Sequence, residues 1–164
     1  GPDMCGKTQI AQALSRRINV PYFKASSEHQ SFLKEQNQFL MQLRYADPRM
    51  LDFLRQTGHS AIFDRAWPCE WAYSKFFGRE TDLNQLRVID DGFAALGTLV
   101  VVCYRSSYRN IVDDLDSRIG PDQLAAIEHL YHDFAVWTSC KTMFLNVDDE
   151  DLDREVSDII KVLP

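Results

Sequence analysis

Cysteine is scarce and scattered in this chain: Cys5, Cys69, Cys103 and Cys140 include no closely spaced pair. That pattern excludes a zinc ribbon or a CxxC redox motif and predicts reduced, mostly buried thiols. Apolar runs are short, and none approaches the roughly 20 residues that cross a bilayer, so no membrane association is expected. Positive charge is also in deficit, with 18 Lys and Arg against 24 Asp and Glu and a formal net charge of −6. A broad nucleic-acid footprint needs clustered cations and is therefore disfavoured, whereas a small anion held in one local cationic pocket is compatible. The opening GPDMCGKT has no basic segment followed by an apolar one, which argues against a secretion signal and makes a cytoplasmic location the expectation. There is no repeat, linker or low-complexity tract.

What is present is a globular composition, 45% hydrophobic and 26% charged, over 164 residues, which suits a single domain spanning 1–164. Helix-like and strand-like segments alternate, the signature of an α/β fold with a parallel sheet covered by helices. Helical periodicity runs over 8–18, 30–45, 48–58, 68–77, 83–96, 121–137 and 151–163. Strand-like runs cover 20–23, 60–64, 99–104 and 142–147, and the near-continuously apolar LVVVCY at 99–104 suits a central strand. Pro48 and Pro121 fit helix starts, and Gly58, Gly78 and Gly97 fit helix ends.

The first eight residues, Gly1-Pro2-Asp3-Met4-Cys5-Gly6-Lys7-Thr8, match the phosphate-loop pattern GxxxxGKS/T in full. Its glycines let the backbone curl so that amides point at a phosphate, and the helix that follows adds its dipole. Lys7 can reach the β- and γ-phosphates of ATP, and the Thr8 hydroxyl can take one position on Mg²⁺. Such a loop normally follows a buried strand, so an apolar, β-prone segment is expected immediately before Gly1. Asp64 and Arg65 close the SAIFD strand, where ligands gather in parallel sheets. Asp64 can organise Mg²⁺ or the acceptor, and Arg65 can clamp a phosphate in a fork; a simple ion pair or helix cap is the competing account.

The loop with aspartate at its third position, the strand ending in Asp-Arg and the Ala72-Tyr73 pair together resemble the thymidylate kinases, within the deoxynucleoside and nucleoside-monophosphate kinases. The resemblance implies a P-loop three-layer sandwich and an ATP- and Mg²⁺-dependent transfer to a small nucleotide, dTMP or a related pyrimidine, with a homodimer possible. It places Asp3 near the acceptor sugar, Arg65 on the acceptor phosphate, Arg44 on the pyrimidine, Phe39 or Leu40 against the base and Tyr73 beside the sugar. The backbone near Val147 falls close to adenine in that family; Trp67, Trp71 and Trp137 read as packing residues, and Trp67 follows Asp64-Arg65 closely enough to border the acceptor. A lid over about 105–121 offers Arg105, Arg109 and Arg118 to the γ-phosphate.

Several positions depart from that family. Met4 stands where one branch has arginine, Ala66 follows Asp64-Arg65 in place of tyrosine, and the lid carries Asp113, Asp114 and Asp116. Lys24 and Glu28 follow the second strand, and the resemblance implies different acceptors for them: the monophosphate kinases use a cation in this area to hold the acceptor phosphate, and the deoxynucleoside kinases a carboxylate as general base toward a sugar hydroxyl, with a solvated loop charge as the competing account for either. A deoxynucleoside kinase, a kinase of a modified base and a non-catalytic nucleotide-binding module are the alternatives. His129 and His132 lie three apart on a helix and read as exposed polar positions rather than metal ligands.

Overall fold

The computed structural model describes residues 1–24, 46–109 and 119–163. The expected helix over 30–45 and the site candidates Glu28, Phe39, Leu40, Arg44 and Arg118 lie outside them.

Helix α1 (Lys7–Ile18) buries Ile10 and Leu14, one turn apart, and ends where Asn19 turns left-handed at φ 53° and donates its amide to Ser15. Strand β1 (Tyr22–Lys24) begins later than the periodicity suggests. The Val20 amide turns back to the Ser15 carbonyl at 3.2 Å, and Pro21 has no amide to give a ladder. Helix α2 (Asp47–Thr57) has proline in its first turn and stops at Gly58, φ 66°. Strand β2 (Ile62–Asp64) runs directly into α3 (Trp67–Phe76), all of whose residues from Trp67 to Ser74 are buried. Asp82 caps α4 (Leu83–Ala94) by accepting from the Gln85 amide at 3.0 Å. Strand β3 (Leu99–Tyr104), α5 (Pro121–Trp137), β4 (Lys141–Asn146) and α6 (Leu152–Ile160) complete the order.

All strand pairing is parallel. Lys24 of β1 lies opposite Asp64 of β2, and Leu99 through Tyr104 of β3 lie opposite Lys141 through Asn146 of β4. The single parallel sheet expected from the sequence is thus resolved as two parallel pairs, with β2 and β3 each bonded to one partner among the described residues. The first pair is only three residues deep, because Pro21 precedes it and Arg65 leaves β geometry at φ 74°.

Strand alternation sends side chains to two apolar cores. Phe63, Val100 and Phe144 join Trp67, Ile89, Phe93 and Phe134 on the side of α3, α4 and α5. Ile62, Val101 and Leu145 join Ile10, Leu14 and Ile159 on the side of α1 and α6. Both pairs therefore lie between the same two sets of helices. Asp90, fully buried on α4, accepts from the Trp67 indole at 2.8 Å, the Thr138 hydroxyl at 2.6 Å and the Ser139 amide at 2.7 Å. It thereby ties the start of α3 to the turn before β4.

Candidate nucleotide site

The phosphate-loop residues curl ahead of α1 with Met4 at φ 66° and Gly6 at φ 60°. No side chain caps the helix start, so its first amides keep the arrangement that favours anions. Lys7 folds back along the loop: its ammonium donates to the Pro2 carbonyl and stands 4.0 Å from the Asp3 carboxylate.

The strand end meets this loop at two points. The Thr8 hydroxyl donates to Asp64 Oδ2 at 2.6 Å, and the Tyr22 hydroxyl donates to the same oxygen at 3.1 Å. Asp64 is buried. Thr8 and Asp64, fifty-six positions apart in the chain, thus form an all-oxygen donor pair, the chemistry that suits a hard cation sharing its remaining positions with water and phosphate. The second point is Asp3. The Arg65 guanidinium donates to Asp3 Oδ1, and the Tyr73 hydroxyl donates to Asp3 Oδ2 at 3.1 Å.

The electrostatics follow from this packing. Burial works against the Asp3 charge, but Arg65, Lys7 and the hydrogen bond from Tyr73 outweigh it and hold the carboxyl below its usual range. Burial also disfavours the Arg65 charge, and neighbouring Cys69 and Asp3 reverse the balance, so the guanidinium stays protonated. Tyr73, pushed up by burial and then by Asp3, keeps its proton and serves as a donor.

Other residues singled out from the sequence fall in several places. Lys24 is exposed beside Asp64 in the strand register. Arg105 donates from Nε to the Met4 carbonyl at 3.1 Å and from its terminal nitrogen to Glu150 at 2.7 Å, so it touches the loop backbone. Arg109 is exposed, its amide bonded to Ser107 Oγ at 3.3 Å. Buried Cys5 lies 3.6 Å from the Tyr108 hydroxyl, which donates to Glu128 at 2.5 Å. Trp67 is buried, stacked on Phe93 with centroids 4.4 Å apart and bonded to Asp90. Val147 is buried and its amide donates to the Tyr104 carbonyl at 3.0 Å. Gly1 packs against the backbone of Cys103, with no space for a β-carbon. His132 stacks on Phe144 at 4.3 Å.

Sequence reasoning missed Tyr22, Tyr108 and Glu128. Tyr22 had a signal: it stands two places before the β1 residue that pairs with Asp64, within diagonal reach of a long side chain. Tyr108 and Glu128 had none, since their meeting depends on how α5 returns over the loop.

No family model matches the chain, and no curated protein matches it. Among solved structures it is similar to the YorR protein of Bacillus subtilis, crystallised in complex with phosphorylated GDP. The identity is 24%, the TM-score 0.69, and the match covers 99% of this chain and 91% of that one. A likeness of that depth shows a shared α/β fold. Among the described residues, no helix is long and apolar enough to cross a membrane.

Proposed function

We propose that this chain is an ATP-dependent nucleotide kinase that moves the γ-phosphate onto a deoxynucleoside monophosphate, of which dTMP or a related pyrimidine nucleotide is the form the sequence resemblance favours. The observation that carries this reading is the meeting of Asp3, Arg65 and Tyr73 beside Lys7, in which Arg65 and Tyr73, 62 and 70 positions away in the chain, converge on one loop carboxylate. A phosphate loop alone serves many chemistries; a loop carboxylate joined to a strand-end guanidinium and a helix phenol provides a second, adjacent subsite with a cation for an acceptor phosphate. The fold shared with YorR, whose crystals hold a phosphorylated GDP, accords with nucleotide binding.

In this reading Lys7 leaves the Pro2 carbonyl for the β- and γ-phosphates, and the loop amides hold the β-phosphate. Arg65 holds the acceptor phosphate in line, and Asp3 and Tyr73 meet its sugar. Thr8 and Asp64 would hold Mg²⁺, which supplies charge neutralisation when bound. Transfer is direct, because a deprotonated phosphate oxygen attacks without a general base. The complete three-layer sandwich belongs to the same proposal: a parallel strand between β2 and β3 would join the two pairs into one sheet aimed at the loop.

The test is ATP consumption with each deoxynucleoside and each monophosphate as acceptor. Transfer to monophosphates supports the reading, transfer to nucleosides alone replaces it with a nucleoside kinase, and ATP binding without transfer to either leaves a binding module.

A further inference from the structure

Tyr22 belongs neither to the phosphate loop nor to the Asp3–Arg65–Tyr73 cluster. Its hydroxyl nevertheless donates to Asp64 Oδ2 at 3.1 Å, the same oxygen that accepts from Thr8 at 2.6 Å. The strand pairing explains the contact. Tyr22 lies opposite Ile62 and Lys24 opposite Asp64, so these four residues share one face of the β1–β2 pair. That face carries Ile62 into the core with Ile10 and Leu14 of α1, and Thr8 stands in the first turn of the same helix. Phe23 points to the other face, where it stacks on Phe63 at 5.8 Å. Three elements, β1, α1 and β2, thus meet on one carboxylate oxygen.

Two donors on one oxygen constrain the rest of the group. A hydroxyl has one proton and two lone pairs. With the Thr8 proton committed to Oδ2, its lone pairs are left for a cation. Neither hydrogen bond falls on Oδ1, so that oxygen is left for the cation or for one of its waters. Asp64 is the last residue of β2, and the chain leaves strand geometry at Arg65, φ 74°. The ladder therefore supports the carboxylate from one side, and the Tyr22 hydroxyl supports it laterally. A phenol, with a pKa of about 10, keeps its proton at neutral pH, so Tyr22 serves as a donor.

We infer that Tyr22 is a positioning residue for the divalent cation of the bound nucleotide, holding Asp64 Oδ2 so that Thr8 and Asp64 Oδ1 face one metal position beside the loop. The inference rests on the proposed assignment of Mg²⁺ to Thr8 and Asp64, and not on the identity of the acceptor. Carboxylates at a metal are themselves oriented by hydrogen bonds, and loss of such a partner costs about 10- to 100-fold in metal affinity. Phenylalanine at position 22 keeps the ring and removes only the oxygen.

The experiment titrates Mn²⁺ into the full chain holding ADP, with protein in excess so that all the ADP is bound, and reads free Mn²⁺ by electron paramagnetic resonance. Wild type, Tyr22→Phe, Asp64→Asn and the double variant are compared, and ADP affinity is measured separately with a chelator present. Tyr22→Phe raises the Mn²⁺ Kd about tenfold or more and leaves metal-free ADP affinity the same. In the Asp64→Asn background it has no further effect, because it acts through that carboxylate. Unchanged Mn²⁺ affinity in Tyr22→Phe, an equal loss with and without Asp64, or absence of Mn²⁺ binding overturns the inference. If the variants fail to fold, wild-type protein with isotope-labelled tyrosines decides by magnetic resonance. Substoichiometric Mn²⁺ then broadens the Tyr22 ring signal first among the six tyrosines, and earlier broadening of another overturns the inference. Weakened Mn²⁺ binding in Tyr22→Phe without transfer to any acceptor removes the kinase reading and leaves this one standing; transfer with unchanged Mn²⁺ affinity does the reverse.

Discussion

Replacing Arg65 by alanine removes the guanidinium that, in the proposed function, holds the acceptor phosphate, while leaving the loop over residues 1–8 in place. Asp3 keeps its hydrogen bond from Tyr73 at 3.1 Å and its neighbour Lys7 at 4.0 Å. The Arg65 and Asp3 side chains are 31% and 29% exposed, so the pair's share of fold stability is small, about 1 kcal/mol or less once solvent screening is counted. A hydrogen bond from a charged group to an acceptor phosphate is worth about 1.5–3 kcal/mol, so the acceptor Kd rises by roughly 10- to 150-fold. Backbone strain provides a control. Arg65 sits at φ 74°, where any β-carbon costs roughly 1–2 kcal/mol. Alanine retains that cost and glycine relieves it. Arg65→Gly therefore melts higher than Arg65→Ala, while both lose the same acceptor affinity. Calorimetric titration with ATP and with the preferred monophosphate separates the two effects. Wild-type acceptor affinity in both variants, or an equal loss of ATP affinity, would refute the assignment.

Lys7→Ala should abolish transfer without lowering the melting temperature; near-normal turnover in the folded variant rules out phosphoryl transfer at this loop. Asp90→Ala strands the buried Trp67 indole donor and leaves the partly exposed Thr138 and Ser139 donors to water, and should cost about 1–3 kcal/mol in chemical denaturation. Glu28→Gln should change turnover little with a monophosphate acceptor, because no hydroxyl proton has to be removed; a large fall in kcat would favour a nucleoside. Because the Asp3 carboxyl is held below its usual value of 3.8, the stability it contributes is intact above that value and is lost as pH falls through the lowered one. Asp3→Asn should therefore flatten the acid limb of the stability profile below about pH 4, and an unchanged limb contradicts the pairing.

Much of this was legible in the chain itself. The curl of 1–8 ahead of a helix was expected from its match to the phosphate-loop pattern, and Pro121, Gly58 and Gly78 marked helix ends because their backbones permit little else there. The nearness of Arg65 to the loop was expected from the gathering of strand ends in parallel sheets as well as from the family resemblance, whereas its direct hydrogen bond to Asp3 was not. Tertiary pairings resisted reading for a physical reason. Glu70 sits in a helix buried from Trp67 to Ser74, where no polar face announces that a carboxylate will be buried and held by Arg79. Asp90 looks like one more acidic residue beside Asp91 until three donors from distant segments arrive around it. Trp67, read from the sequence as a packing residue near enough to Arg65 to border the acceptor, is packed by its stack on Phe93 and its bond to Asp90.

Arg105 was read as a lid cation, but its guanidinium is divided between the Met4 carbonyl and Glu150, and three residues on Tyr108 joins Cys5 to Glu128. The stretch from Arg105 to Tyr108 is therefore moored to the phosphate loop at two successive loop residues, and to α5 and the turn before α6 as well. A nucleotide that drew Arg105 away would have to break a backbone contact of the loop that cradles it. In the proposed reading donor recognition and loop shape are consequently one mechanical unit, and a substitution at Glu150, which touches the loop only through Arg105, would be felt first as a change in how firmly the loop grips.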